Sequence, residues 1–126
     1  VVEHRLAAEL VININSMAEM TRDVIDAYLA FIDRSAKAFY SKNTLGKYTP
    51  ESMGVEKADA ESIRFALKSG PLTAMVDVFD DAALQDCVPA YLDAYCPGDD
   101  WRVAGQGFAA PWSYYYQSLY RKSAAA

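Results

Sequence analysis

The chain has 126 residues, 52% apolar and 13% aromatic, enough to bury a core, which excludes an intrinsically disordered segment. A formal charge of −5 excludes a protein held to nucleic acid by phosphate contacts, because Lys and Arg supply those. No apolar run approaches the roughly 20 residues that span a bilayer, and Glu3, His4 and Arg5 interrupt the start where a signal peptide would be apolar.

The length is that of a single domain, 1–126. The lack of an initiator Met fits a matured protein and an excised domain alike. From Val2 to Phe39, apolar residues recur at spacings of three and four (Leu6, Leu10, Ile14, Met17, Val24, Ile25, Tyr28, Phe31, Ile32), and no Gly or Pro appears before Gly46. That spacing predicts one long amphipathic helix. At roughly 1.5 Å per residue it would reach about 60 Å, far beyond the radius of gyration of about 14 Å expected for a compact domain. Such a helix must either break, with Val11 to Ser16 the weakest stretch, or project and pair with another chain. The β-branched residues, Asn and Ser of that stretch are poor helix formers and could pass for a short strand, but the surrounding period favours helix.

Ser41 to Tyr48 reads as a loop, and Thr49-Pro50 to Gly54 as a single capped turn. Asp59 is placed to cap a helix with Ile63, Ala66 and Leu67 on one face, stopped by Gly70-Pro71. Leu72, Met75, Val76 and Phe79 continue the helical spacing. Asp80 or Asp81 then caps a helix carrying Leu84, Cys87, Val88, Tyr91, Leu92 and Tyr95, within which Pro89 predicts a kink or a new start. Cys96 to Asp100 is a turn, the stretch through Gly105 and Gly107 irregular, and a last helix begins near Pro111 and frays into a terminal alanine tail. The predicted architecture is all-α: an irregular bundle of about five helices with one long N-terminal helix.

Two cysteines nine residues apart lie on opposite faces of one helix, which favours free thiols over a disulfide. Free thiols and the missing export signal lean toward the cytoplasm. His4, the only histidine, reads as a terminal residue without a role. Asp77, Asp80 and Asp81 could hold a divalent cation, but helix capping explains them more simply, and no metal or cofactor is expected. Charge is uneven: Pro71 to Asp100 holds seven Asp and no Lys, Arg or Glu.

The aromatic C-terminal segment supplies the candidate ligand- or partner-binding residues: Trp101, Phe108, Trp112, Tyr115 and Tyr116. On a helix, the consecutive residues Tyr114 to Tyr116 span about 200°, so at least one must face outward. The preferred reading is a non-catalytic helical ligand- or partner-binding module, dimeric through its first helix, with an apolar or aromatic small ligand or a protein as partner. The alternatives are a small acidic inhibitor or immunity-type protein meeting a basic target, and a small enzyme or enzyme subunit using Asp and Tyr side chains.

Overall fold

In a computed structural model of the chain, residues 7–48 and 60–124 are described. They form a mixed α/β domain. β1 (Ala8–Ile14), α1 (Arg22–Ser35) and β2 (Ala36–Thr44) are followed by α2 (Ala60–Lys68), α3 (Asp81–Asp86), α4 (Val88–Ala94), β3 (Trp101–Phe108) and β4 (Tyr115–Lys122). The four strands make one sheet in the order β1-β2-β4-β3. β1 and β2 run parallel, with Val11 beside Phe39, and α1 is the crossover between them. β4 is antiparallel to both β2 and β3, with Phe39 opposite Tyr120 and Trp101 opposite Lys122.

The all-α expectation is therefore overturned. The long first helix is in fact a strand, a 3₁₀ turn at Met17–Glu19, a helix and a second strand. Val11, Ile12 and Ile14 favour the pleated backbone, and Asn15, at φ 61°, turns the chain out of β1. With that helix gone, the expected pairing of a projecting first helix with another chain loses its basis. Ser41 to Thr44 is strand rather than loop, and Trp101 to Phe108 is strand rather than irregular chain. Tyr115 to Lys122 is strand rather than helix. Met75 to Phe79 is not helical and makes a single bridge, from Met75 to Lys47.

Several local signals do match the structure. The helix carrying Ile63 and Leu67 ends before Gly70, whose φ is 78°. The Asp80 side chain accepts from the Ala83 amide at 3.0 Å and caps α3. Pro89 stands in the first turn of a new helix, α4. The turn at Thr49 to Gly54, the cap at Asp59, His4 and the final two alanines lie outside the described residues.

One face of the sheet carries the core. Ile25, Leu29 and Ile32 of α1, Leu84 of α3, and Val88, Tyr91 and Tyr95 near α4 pack on Phe39, Tyr116 and Tyr120. Phe39 and Tyr120 stack with ring centroids 6.0 Å apart. Each fully buried apolar side chain of this size contributes about 1.5–3 kcal/mol relative to exposure. Strand alternation sends the other set of side chains to a face on which Leu10, Ile12 and Ile14 remain 48%, 58% and 57% exposed. The same open face carries Tyr40 and Lys42 from β2, Leu119 and Arg121 from β4, and Arg102 from β3.

Candidate functional site

Between the helices and the sheet, the core contains a polar network. The Tyr91 hydroxyl donates to the Tyr116 carbonyl at 2.9 Å and accepts from the Asn43 amide at 3.2 Å. Its remaining lone pair meets Ser41 Oγ at 2.8 Å, and because the phenol proton is already engaged, Ser41 is the donor there. The Asn43 side-chain amide donates to Ser41 Oγ and to Asn13 Oδ1, both at 3.0 Å. Asn13 in turn donates to Ser16 Oγ and accepts from the Met17 amide. One connected chain of bonds thus ties β1, β2, α4 and β4 together. Ser41, Asn43 and Tyr91 are completely buried. Asn43 Oδ1, the Tyr95 hydroxyl and Ser118 Oγ, also buried, have no hydrogen-bond partner among the described residues.

Burial holds these phenols protonated. Tyr91 is pushed up to about 12, chiefly by desolvation, against the bonds from Ser41 and Asn43 that favour the phenolate. Tyr48, Tyr95 and Tyr120 are pushed higher still by the same cause. Raised folded-state values mean that the protonated phenols contribute stability in full below the unfolded value of about 10, and that this stability is lost as pH rises through the folded values. These four tyrosines are expected to ionise only together with cooperative loss of structure above about pH 10. Parallel phenolate absorbance and circular dichroism would check this, and ionisation of all four with the fold intact would contradict it.

A second polar constellation lies at the opposite end of the β3–β4 hairpin. Trp101 Nε1 donates to Asp33 Oδ1 at 2.8 Å, and Lys122 Nζ stands 3.4 Å from the same oxygen and also donates to the Asp33 carbonyl. The indole N–H, followed by the lysine, holds the Asp33 carboxyl below the usual carboxylate range. Gly98 packs directly on that carboxylate, where an added Cβ would sit 3.0 Å from it. Asp33 opens onto a cleft of 370 Å³ between α1 and α4, which Asp26, Asp93 and Pro97 also line.

The five aromatic residues expected to form one site are divided by the strands. Trp112 and Tyr115 come together in a cleft of 280 Å³ at one end of the open face, with Ile14, Asn15, Lys42 and Pro111. Tyr116, adjacent in sequence, points the other way into the core, where it meets Phe108 edge-on at 5.1 Å and donates to Gln106. Trp101 is buried at the far end beside Asp33. Sequence reasoning missed Asp33, Ser41, Asn43 and the role of Tyr91. A signal was present in Phe39-Tyr40-Ser41-Lys42-Asn43, whose alternation is that of a strand with two small polar residues facing inward.

Cys87 and Cys96 are free, and burial raises both thiols, which makes them poor nucleophiles. Among the described residues, no group of three His, Cys, Asp or Glu side chains is placed to hold a metal ion. None of the described helices is long and apolar enough to cross a membrane. A mixed α/β domain with a buried network through Tyr91 and an oriented Asp33–Trp101 pair, with Tyr40 bonded to Gln117 across the open face, is not a helical interaction module. No protein-family model, curated protein or solved structure matches the chain.

Proposed function

We propose that this protein is a small acidic binder of the inhibitor or immunity type, which meets a basic target protein with its helical layer. The observation that carries this reading is the segregation of charge. The seven aspartates between Pro71 and Asp100 are all exposed, and Asp26, Asp33 and Asp93 line the α1–α4 cleft, where Arg22 pairs with Asp26 at 3.1 Å and leaves the cleft net acidic. The open sheet face instead carries Lys42, Arg102 and Arg121 and, among the described strand residues, no carboxylate. Fields of this kind steer a basic partner to one side of a molecule and set its orientation.

An apolar anchor stands within the acidic surface. Phe79 is 81% exposed, its amide bonded to Asp77 Oδ1 at 2.9 Å, and Asp80 follows it as the cap of α3. An exposed aromatic ring on a turn fixed in advance can bury its area against a partner at little cost in ordering.

The test is an NMR titration with an arginine-rich peptide as the probe. Shifts are expected to concentrate on α1, α4 and the Phe79 turn, and to fade as salt shortens the Debye length. Shifts spread evenly over the surface, or concentrated on the sheet, would overturn the reading.

Trp112 and Tyr115 support a second, smaller reading. Their cleft combines two aromatic rings with the Lys42 amine, which suits a flat aromatic carboxylate. The same spectra with benzoate as the probe are expected to move Trp112 and Lys42 and to leave the acidic face unchanged.

A further inference from the structure

β1 is an edge strand, and no described residue pairs with its outer side. The Asn15 amide donates to the Lys42 carbonyl at 2.8 Å. Counting back by twos, the backbone groups of Asn13 and Val11 face β2, and those of Leu10 and Ile12 face outward, free to pair. Edge strands ordinarily carry Lys, Pro or a bulge that blocks association. β1 has none of these, and its one charge, Glu9, is held by Lys37 at 2.7 Å.

The surface on both sides of this edge is apolar. Below it lie the exposed side chains of Leu10, Ile12 and Ile14. Above it lies a flank of α1: Val24 and Tyr28 are 39% and 49% exposed, and with Ala27 and Phe31 they line a groove of 440 Å³ that Asp23 borders. At about 100° per residue, that flank is turned away from Asp26 and Asp33, which face α4. α4 reaches over β4, where the Tyr120 hydroxyl bonds to the Leu92 carbonyl, so the Val24–Phe31 flank lies on the side of α1 away from α4 and β4.

We propose that β1 pairs antiparallel with β1 of a second copy, making one eight-stranded sheet, with α1 packed on its counterpart through Val24, Tyr28 and Phe31. The strand is self-complementary, and of the registers its outward groups allow, the one centred on Val11 overlaps all of β1. A two-fold axis at Val11 sets Leu10 opposite Ile12 of the second copy and Ala8 opposite Ile14, all apolar pairs on one face, and Glu9 opposite Asn13. Within the strand pair no like charges meet; Asp23 borders the α1 groove, and Asp26, Asp33 and Asp93 face the α1–α4 cleft instead. Stacking the two open faces instead would bring Lys42, Arg102 and Arg121 against their own counterparts. This contact is strand to strand, on a surface that an all-helical chain would lack.

Sedimentation of the full chain over a wide concentration range is expected to give twice the chain mass. Ile12→Lys and Tyr28→Glu, both at exposed positions, should each weaken the dimer at least tenfold with melting of the monomer unchanged. The register has its own test. In a Cys87→Ser, Cys96→Ser background, Val11→Cys faces itself across a non-hydrogen-bonded pair with Cα atoms about 4.5 Å apart, within disulfide reach. It should therefore link on oxidation, while Ile14→Cys should not. A chain that stays monomeric throughout, or a dimer in which Val11→Cys stays unlinked, would overturn the proposal. Neither result bears on the acidic face, so this inference and the proposed function fail separately.

Discussion

Tyr91→Phe is expected to lower the unfolding free energy by about 3 kcal/mol although only one oxygen is removed. That oxygen completes three hydrogen bonds at once, to the Ser41 hydroxyl, the Asn43 amide and the Tyr116 carbonyl. All three partners are buried, and a buried group left without a partner costs about 1–3 kcal/mol. Ser41 can turn its proton elsewhere, but the Asn43 amide and the Tyr116 carbonyl are fixed in β2 and β4 and cannot. For a domain of this length the loss corresponds to a fall in Tm of roughly 10 °C. Tyr95→Phe is the matched control. Its hydroxyl is equally buried but has no hydrogen-bond partner among the described residues, so removing it should be neutral or slightly stabilising. Equal effects of the two substitutions in a denaturant titration would show that the network contributes nothing beyond ring packing.

Gly70→Ala is expected to be at least as damaging, at about 3 kcal/mol or more. Two independent penalties coincide there. The φ of 78° lies in the left-handed region that side chains avoid, and an added Cβ would sit 2.6 Å from the Ala18 carbonyl oxygen. The neighbouring chain cannot step aside. The Gly70 amide is bonded to the Met20 carbonyl at 2.7 Å, and Lys47 Nζ and Ser69 Oγ both donate to the Ala18 carbonyl. Gly105→Ala is the contrasting case, since nothing lies within 4 Å of the added carbon. Thermal melts should rank the two far apart, and comparable losses would mean that the contact between α2 and the 3₁₀ turn is not held as described.

The sequence was legible where a signal is local. Asp80 as a cap, Pro89 at the start of a helix and Gly70 as a stop each depend on a few neighbouring residues. It misled where the apolar period was shared by two structures. Leu10, Ile14, Met17 and Val24 fit a helical stripe, yet the first two lie on a strand in which Leu10, Ile12 and Ile14 alternate with Glu9, Val11 and Asn13, a pattern too short to stand out from the helical period around it. Tyr114 stands in the turn before β4, and Tyr115 and Tyr116 pose no problem on a strand, which sends neighbours to opposite faces; this is why the proposed aromatic site divides into a cleft residue and a core residue. Asp33 could not be recognised at all. Its importance comes from Trp101 and Lys122, brought to it by pairing across the sheet rather than by spacing along the chain.

The order β1-β2-β4-β3 puts the strand that comes last in sequence among the four in the middle of the sheet. Until Tyr115 to Lys122 emerges, β2 has no partner on that side, β3 has nowhere to dock, and Tyr91 lacks the Tyr116 carbonyl that receives its proton. A nascent chain can therefore assemble β1, α1 and β2 early but must wait for β4 before the two halves of this sheet become one. Contacts of such long sequence separation close slowly. Any change that trims or stiffens the segment after Trp112 thus acts on the centre of the sheet.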